Sequence, residues 1–196
     1  MNLVRQARSA VQMIIILTIL TGIIYPLLMT ALAQAILPAQ ANGSLVRDDK
    51  GNLIGSTLIG QNFSDPRYFH PRSSAAGDNG YDPLNSGGSN LGPTNEKLIA
   101  TVADRAAAYR KENGLPSDAP VPVDAVTASG SGLDPDITPA NAFLQVPRVA
   151  AARNLSEGDV RALVERHIIG RTLWVFGEPR VNVLELNFDL DKRALR

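Results

Sequence analysis

The 196-residue chain contains no cysteine. A disulfide-stapled scaffold, a zinc site built on thiolates and a thiol nucleophile are therefore excluded. An excess of one charge is also missing, because 19 Lys and Arg balance 19 Asp and Glu. This balance excludes a strongly basic nucleic-acid-binding protein on bulk electrostatics. The apolar fraction of 44% likewise excludes an acidic disordered chain.

Charge is absent altogether between Arg8 and Arg47, and the first part of this gap is rich in Ile, Leu and Val. A helix over residues 11–37 would be roughly 40 Å long at about 1.5 Å per residue. The hydrocarbon core of a bilayer is about 30 Å thick. We therefore predict a transmembrane helix at 11–37 after a short cytoplasmic stub at 1–10. A kink is expected at Pro26, because proline removes a backbone donor.

A cleaved signal peptide is the alternative interpretation of this segment. Arg5 and Arg8 would form its basic region, and residues 33–35 match an A-x-A cleavage site. The apolar run is well beyond the usual length of about 7–15 residues, which favours a retained anchor. The positive-inside rule places the N-terminus in the cytoplasm, because basic residues lie closer to the span on that side. Residues 38–196 would then form an extracytoplasmic domain.

The remaining residues, 38–196, are numerous enough for one domain with its own core. Turn residues between two short apolar runs predict a hairpin at 45–55. The range 60–76 mixes aromatics with proline and predicts an extended loop, while apolar runs at 173–176 and 181–187 predict two strands. The sequence therefore predicts an α+β fold, with one N-terminal transmembrane helix followed by a single mixed α/β soluble domain.

Three helices are predicted in the same domain. The first follows Pro93, which we place at the first helical position, and ends at Gly114. The second has Thr138 as its N-cap residue, and Pro147 is expected to interrupt or kink it. The third begins at Ser156, and the acidic residue three positions later resembles a capping box.

The glycine-rich range 86–94 has the glycine spacing of a phosphate-binding loop. Gly87 and Gly92 hold the glycine positions and Thr94 holds the hydroxyl position, but Pro93 stands where the motif needs lysine. Proline cannot supply the ammonium group that contacts the β- and γ-phosphates. We therefore favour a tight turn leading into a helix, with a backbone-amide anion site as the alternative.

Two further groups of residues offer chemistry in principle. Asp134 and Asp136 could act as paired catalytic carboxylates or bind a hard cation, although Pro135 between them favours a turn with Asx-type caps. The two histidines, His70 and His167, lack the spacing of a metal site. We expect His70 in a loop or an interface and His167 near a helix C-terminus, where the dipole favours its charge.

Gln145 has two open interpretations. It lies just before Pro147 on the second predicted helix. A buried amide that satisfies freed backbone groups is the first interpretation, and a ligand contact is the second.

Short motifs distributed over nearly the whole chain form an ordered set. They lie at residues 25–28, 40–45, 58–63, 68–70, 86–91, 126–129, 132–134, 145–150 and 181–187. Each motif alone is a weak indicator of any one protein family, but their order and number together are specific. With these motifs the chain resembles the C subunit of the Kdp potassium-transporting ATPase, a bacterial multisubunit pump.

The resemblance implies a non-catalytic accessory subunit of the bacterial inner membrane. The sequence itself contains neither a lysine-bearing Walker loop nor the phosphorylation motif of a P-type pump. The implied partners are the channel-like potassium-binding subunit, the P-type ATPase subunit and a small single-span subunit. Potassium would be the transported ion of the complex, and no covalently bound cofactor is implied. The family is described as a catalytic chaperone that raises the ATP affinity of the ATPase subunit. The glutamine proposed for nucleotide contact corresponds to Gln145.

A second description of the family places the soluble domain outside, against the channel-like subunit, where cytoplasmic ATP cannot reach it. The positive-inside rule agrees with that placement. A membrane-anchored extracytoplasmic hydrolase or binding protein is the alternative function, with Asp134, Asp136 or Ser131 as its chemical groups. Under the first function, polar glycine-rich loops are expected to pack on a partner. The expected interaction residues are Ser86, Gly87, Gly88, Ser89, Asn90, Leu91, Leu133, Asp134 and Pro135.

Overall fold

A computed structural model of the chain describes residues 3–194. These residues form two compact units, which divide between Ile54 and Gly55 and are called unit 1 and unit 2. The fold is α+β, as predicted, because a long apolar N-terminal helix precedes a domain of helices and short strands.

Unit 1 begins with a continuous helical segment of 34 residues, Leu3–Ile36. It consists of α1 (Leu3–Ile19), a π-helical turn (Leu20–Ile24) and α2 (Tyr25–Ile36). None of its side chains is buried. Its mean hydropathy reaches 2.3, and it is the one described helix long and apolar enough to cross a membrane. The helix starts before the predicted span because the preceding residues are good helix formers without glycine or proline.

The π-helical turn lies directly before Pro26. Proline has no N–H, so the carbonyl of Gly22 loses the donor that an α-helix would provide. The N–H of Tyr25 donates to the carbonyl of Leu20, which is the wider i→i+5 pattern. The proline thus coincides with a widened turn, while an axial kink at Pro26 stays a prediction.

Three short elements follow the long helix. They are α3 (Pro38–Ala41), β1 (Leu45–Arg47) and β2 (Leu53–Ser56), whose last two residues belong to unit 2. Strands β1 and β2 pair as a two-stranded sheet, which confirms the predicted hairpin. The Asp48 carboxylate accepts the N–H of Asn52 at 2.7 Å and closes the turn.

Unit 2 contains five helices and three short strands in its described part. They are α4 (Glu96–Glu112), α5 (Val123–Val126), β3 (Asp136–Ile137), α6 (Pro139–Arg153), α7 (Glu157–Arg166), β4 (Ile168–Ile169), β5 (Arg180–Asn182) and α8 (Val183–Ala194), with a 3-10 turn at Pro83–Asn85. The range 60–76 contains no helix and no strand, and Ser73 forms an isolated bridge with Ala128. The predicted extended loop is therefore confirmed.

A three-stranded antiparallel sheet lies at the centre of unit 2, in the order β3-β5-β4. Val181 of the middle strand pairs with Ile137 on one side and with Ile168 on the other. Helices α6, α7 and α8 contribute most of the core around this sheet. The buried core residues are Phe69, Ile137, Ala142, Val146, Val149, Ala150, Val160, Leu163, Val164, Val181, Val183, Leu186 and Leu190.

Side-chain caps set the starts of the three predicted helices. Thr138 caps α6 by accepting the Asn141 N–H at 3.2 Å, and Ser156 caps α7 by accepting the Asp159 N–H at 3.0 Å, as predicted. The first helix was placed wrongly, because it begins at Glu96 and not at Pro93. Asn95 provides the cap, since its side chain accepts the Lys97 N–H.

One further prediction about these helices is wrong, and one is confirmed. Helix α6 runs through Pro147 without interruption, because its apolar side chains on both sides of the proline are buried in the core. Helix α4 ends as predicted, with Gly114 just beyond it at a φ of +63°.

Of the two strands predicted near the C-terminus, the one at 173–176 is wrong and the one at 181–187 is correct only for its first two residues. Residues 173–176 form a turn, closed by a single bridge between Thr172 and Phe176. Only Arg180–Asn182 is a strand, and helix α8 begins at Val183. The Asn182 side chain accepts the N–H of Glu185 at 3.1 Å and so starts the helix.

Candidate functional site

The two predicted interaction loops, at 86–91 and 133–135, lie within two segments, 86–91 and 131–135, that pack against each other. The Gly87 N–H donates to the Ser131 carbonyl at 2.9 Å. A Cβ atom on Gly132 would lie 2.7 Å from the Gly87 carbonyl oxygen, and Gly132 has a φ of +68°. Because only glycine tolerates both constraints, it allows the two loops to pack this closely. We call residues 86–91 and 131–135 the loop pair.

The same contacts bear on the anion-site interpretation of the glycine-rich range. A phosphate would need the backbone N–H of Gly87, but this group is bonded inside the protein. Helix α4 also starts three residues after Pro93, so the glycines do not lead directly into its N-terminus. The geometry therefore favours the turn over a phosphate-binding loop.

Asp134 and Asp136 both form ion pairs with arginine. Arg72 donates to Asp134 at 2.6 Å, and Arg180 donates to Asp136 at 2.9 Å. The Asp136 N–H donates to the Asp134 carboxylate at 3.0 Å, which is the expected Asx-type turn. Burial raises the pKa of Asp136, against the opposing effect of Arg180. These contacts use the carboxylates for structure and do not leave them free as a catalytic pair.

The two histidines contact different acidic residues. His70 lies in a loop, and its Nδ1 is 2.7 Å from the Glu112 carboxylate. His167 follows the last residue of α7, as predicted, and its Nε2 is 3.0 Å from Asp189. No group of three His, Asp or Glu side chains in the described range 3–194 has the arrangement of a metal site.

The most extensive buried polar arrangement surrounds the loop residues Phe69 and His70. Asn187 of α8 accepts the Phe69 N–H at 2.8 Å and donates to the Phe69 carbonyl at 2.9 Å. Gln145 of α6 does the same for His70, at 2.7 and 3.1 Å. Both amides are 1% exposed. Two amide side chains thus hold consecutive residues of an extended segment, much as a neighbouring strand would.

Arg148, one turn beyond Gln145 on α6, fixes the same loop from another side. Its guanidinium donates to the Gln145 amide oxygen at 2.7 Å and to the carbonyls of Pro66 and Tyr68 at 2.6 and 3.0 Å. The side chain is 8% exposed, and this burial lowers the pKa of Arg148. The hydrogen bond from His70 in turn lowers the pKa of the nearby Glu112. We call Gln145, Asn187, Arg148 and the loop residues 66–70 the amide cluster.

The hydrogen bonds continue from the amide cluster towards α4 and α5. Gln145 donates to the Asn141 side chain at 2.9 Å, which also accepts the Tyr109 hydroxyl at 2.8 Å. Asn141 donates to the buried Asp124 carboxylate at 3.0 Å, and Asp124 accepts the N–H of Thr138 at 2.7 Å. A chain of paired polar groups therefore joins three helices across the interior.

All four hydrogen-bonding positions of the Gln145 amide are occupied inside the protein. Its oxygen accepts from His70 and Arg148, and its nitrogen donates to His70 and Asn141. The first interpretation of Gln145, a buried amide that satisfies backbone groups, agrees with this geometry. A nucleotide contact stays a prediction that would require these bonds to rearrange.

Sequence reasoning singled out Gln145 but missed its companions. Asn187 fell in a predicted strand, and Asn141 and Asp124 carried no motif of their own. The resemblance motifs were the available signal, because the motifs at 68–70, 145–150 and 181–187 all contribute to the amide cluster.

The fold and these contacts define a class of protein. A helix long and apolar enough to span a bilayer precedes an α+β domain whose buried polar groups bond to one another, which is consistent with a membrane-anchored subunit. A family profile described as "KdpC: K+-transporting ATPase, c chain" matches residues 7–192. The chain therefore belongs to the KdpC family.

Curated relatives agree with this assignment. A protein of Mycobacterium tuberculosis (strain ATCC 25618 / H37Rv) is 57% identical over 188 residues, which cover 96% of this chain and 98% of the relative. One from Koribacter versatilis is 54% identical over 184 residues, covering 93% and 92%. One from Caulobacter vibrioides is 57% identical over 176 residues, covering 90% and 87%. Each of these proteins is named "Potassium-transporting ATPase KdpC subunit".

Proposed function

We propose that this chain is a non-catalytic accessory subunit of an ATP-driven, high-affinity potassium uptake pump in a bacterial plasma membrane. The observation that carries the proposal is membership of the KdpC family over residues 7–192. The relatives' names include a potassium-transporting ATPase, so potassium is the ion that the assembled pump transports. The long apolar helix supplies the membrane anchor.

The arrangement in the membrane is part of the proposal. Residues 1–10 form a cytoplasmic stub, 11–37 cross the bilayer and 38–196 form the extracytoplasmic domain. The positive-inside rule supports this orientation, because Arg5 and Arg8 lie close to the span. The partners are the channel-like potassium-binding subunit, the P-type ATPase subunit and the small single-span subunit. We propose that the loop pair packs on one of them.

The effect on ATP is proposed to be indirect. Gln145 is buried and fully hydrogen-bonded, so its side chain supports the fold rather than a nucleotide. An extracytoplasmic domain also has no access to cytoplasmic ATP. Any rise in the ATP affinity of the ATPase subunit would then pass through the subunit contacts of the assembled complex.

The hydrolase alternative finds less support in the geometry. Asp134 and Asp136 are engaged with Arg72 and Arg180, and the Ser131 carbonyl and hydroxyl both accept backbone N–H groups. These contacts use the proposed chemical groups to hold the loop pair and the neighbouring strands β3 and β5.

A reporter fusion tests the proposed orientation. Alkaline phosphatase fused after Arg196 of the full chain should be active, because that enzyme matures only outside the cytoplasm. The matched control is the same fusion to a chain in which Arg5 and Arg8 are moved to follow residue 37, which should lose activity. An inactive fusion to the native chain, with an active cytoplasmic reporter at the same position, would refute the extracytoplasmic placement.

Co-purification tests the accessory role itself. The full chain carrying an affinity tag should isolate a P-type ATPase subunit and a channel-like potassium-binding subunit from cells in mild detergent. Deletion of the chain should abolish growth at limiting potassium but not at high potassium. A chain that purifies alone, with growth unchanged by its deletion, would refute the accessory role.

A further inference from the structure

An exposed apolar turn lies between β4 and β5, and we call residues 172–176 the apolar tip. Leu173, Trp174, Val175 and Phe176 are 70%, 89%, 70% and 65% exposed. Ten large apolar side chains are exposed in the described part of unit 2, and four of them are consecutive here. Single exposed apolar residues are ordinary, whereas a contiguous group is typical of an interaction site.

The backbone of the apolar tip has a defined shape. Thr172 and Phe176 exchange two backbone hydrogen bonds, each 2.9 Å long. Leu173 and Trp174 have φ angles of +52° and +62°, a left-handed conformation that is uncommon for bulky side chains and raises their conformational energy. The turn therefore presents its apolar side chains in a preformed arrangement, which reduces the ordering cost of binding a matching surface.

The charges around the apolar tip offer no net attraction to an anionic lipid surface. Recognition of anionic lipids relies on unpaired Lys or Arg near the apolar residues. The two basic residues within 169–180 are both paired, Arg171 with Glu178 at 2.7 Å and Arg180 with Asp136 at 2.9 Å. The charged base of the turn is thus neutral as a whole, which favours a protein partner.

A second copy of the chain is also a poor occupant. The four apolar side chains expose on the order of 500 Å², since a single aromatic side chain offers roughly 150–250 Å². A stable interface buries about 800 Å² on each partner. Two apolar tips in contact would fall short of this area, whereas a concave cleft would bury the backbone and the flanking residues of the turn as well as these four side chains.

We infer that the apolar tip inserts into an apolar cleft on another protein subunit of the pump, on the side of the membrane that holds unit 2. This inference rests on the proposed function. Trp174 and Phe176 fill the cleft, since tryptophan often dominates binding energy at such contacts. The ion pair of Arg171 with Glu178 lies at the polar rim.

Co-purification of a variant tests the inference. The full tagged chain with Trp174→Ala and Phe176→Ser, produced together with the other pump subunits, should retain about tenfold less of them in mild detergent. The matched control is Leu84→Ser, which removes an isolated apolar side chain that is 91% exposed. The thermal midpoints of both variants should equal that of the unchanged chain. Equal retention by the tip variant and the control would overturn the inference.

Photo-crosslinking identifies the occupant directly. The residue p-benzoylphenylalanine replaces Trp174 in the full chain within the assembled complex, with the same replacement at Leu84 as the control. A crosslink from position 174 to an identified pump subunit, absent from position 84, is the expected result. Crosslinks to lipid or to a second copy of the chain, or no crosslink from position 174, would overturn the inference.

Co-purification distinguishes a failure of the proposed function from a failure of the inference about the apolar tip. If the unchanged chain does not co-purify with the pump subunits, the proposed function fails. If the unchanged chain co-purifies and the tip variant does so equally well, the function stands and the role of the apolar tip is lost.

Discussion

The amide cluster and the apolar tip reverse the usual distribution of side chains. In the amide cluster, Gln145 and Asn187 are polar and 1% exposed. In the apolar tip, Trp174 is apolar and 89% exposed. Buried amides cost free energy unless they are hydrogen-bonded, and here their hydrogen bonds fix a loop. An exposed tryptophan gains no free energy from burial of its apolar surface. Its stabilising contact therefore lies on another molecule.

The difference shows which residues act on the fold and which act on assembly. A residue such as Gln145 or Asn187 affects function by way of stability, because the loop at 66–70 depends on it. The apolar tip affects binding at nearly constant stability. Substitutions in the two regions should therefore separate an effect on stability from an effect on binding.

Gln145→Ala should have the largest effect on the free energy of unfolding. It leaves the N–H and carbonyl of His70 and one guanidinium nitrogen of Arg148 without their partner. It also removes one of the two hydrogen bonds that the Asn141 amide oxygen accepts. We expect a loss of about 2–4 kcal/mol in the free energy of unfolding, since each unpaired buried group costs roughly 1–3 kcal/mol. Urea unfolding of the full chain in detergent measures it, with the exposed Gln40→Ala as control. Unchanged stability with reduced ATP affinity of the complex would instead favour a nucleotide contact.

Asn187→Ala should have the second largest effect on the free energy of unfolding. It removes two hydrogen bonds to the buried Phe69, with an expected loss of about 1–3 kcal/mol. Combined with Gln145→Ala, it should cost less than the sum of the two, because both amides hold the same loop. A double-mutant cycle by urea unfolding measures this coupling. Strict additivity would show that the loop does not act as one unit.

Glu112→Gln should produce a smaller, pH-dependent loss. The hydrogen bond from His70 lowers the folded-state pKa of Glu112 below its ordinary value of 4.5. A lowered folded-state pKa contributes stability above the unfolded value, and this contribution is lost as the pH falls through the folded value. The thermal midpoint of the variant should therefore lie below that of the unchanged chain at about pH 7, and the gap should close in acid. A gap that widens in acid would contradict this prediction.

Trp174→Ala should have the smallest effect on stability. The side chain is 89% exposed and belongs to no core cluster, so the change should stay within about 0.5 kcal/mol. Urea unfolding under the conditions used for Gln145→Ala measures it. A loss of several times this size would show that the apolar tip supports the fold, and the contrast between the two regions would disappear.

Local signals in the sequence predicted much of the fold. The apolar run predicted the long helix, and Thr138 and Ser156 marked two helix starts because capping depends on residues three positions away. The range 181–187 was assigned to a strand because it is rich in apolar residues. The structure uses the helical spacing of Val183, Leu186 and Leu190 instead, as all three are buried on one face of α8.

The amide cluster was beyond the reach of local signals. Gln145 bonds to a residue 75 positions away and Asn187 to one 118 positions away. No pattern in a single sequence indicates contacts between residues this far apart in the chain. The apolar tip was read as a strand because Leu173–Phe176 is apolar, and nothing local indicates that it faces solvent.

The widened turn at Leu20–Ile24 has a consequence for how other helices can sit beside the anchor. One extra residue in a helical turn rotates everything beyond it by about 100° relative to an uninterrupted α-helix, because each residue advances by that angle. Side chains that would share one face of an uninterrupted helix therefore lie on different faces of α1 and α2. A neighbouring helix that contacts both halves must cross the anchor obliquely, and deleting a single residue within the turn would realign these faces.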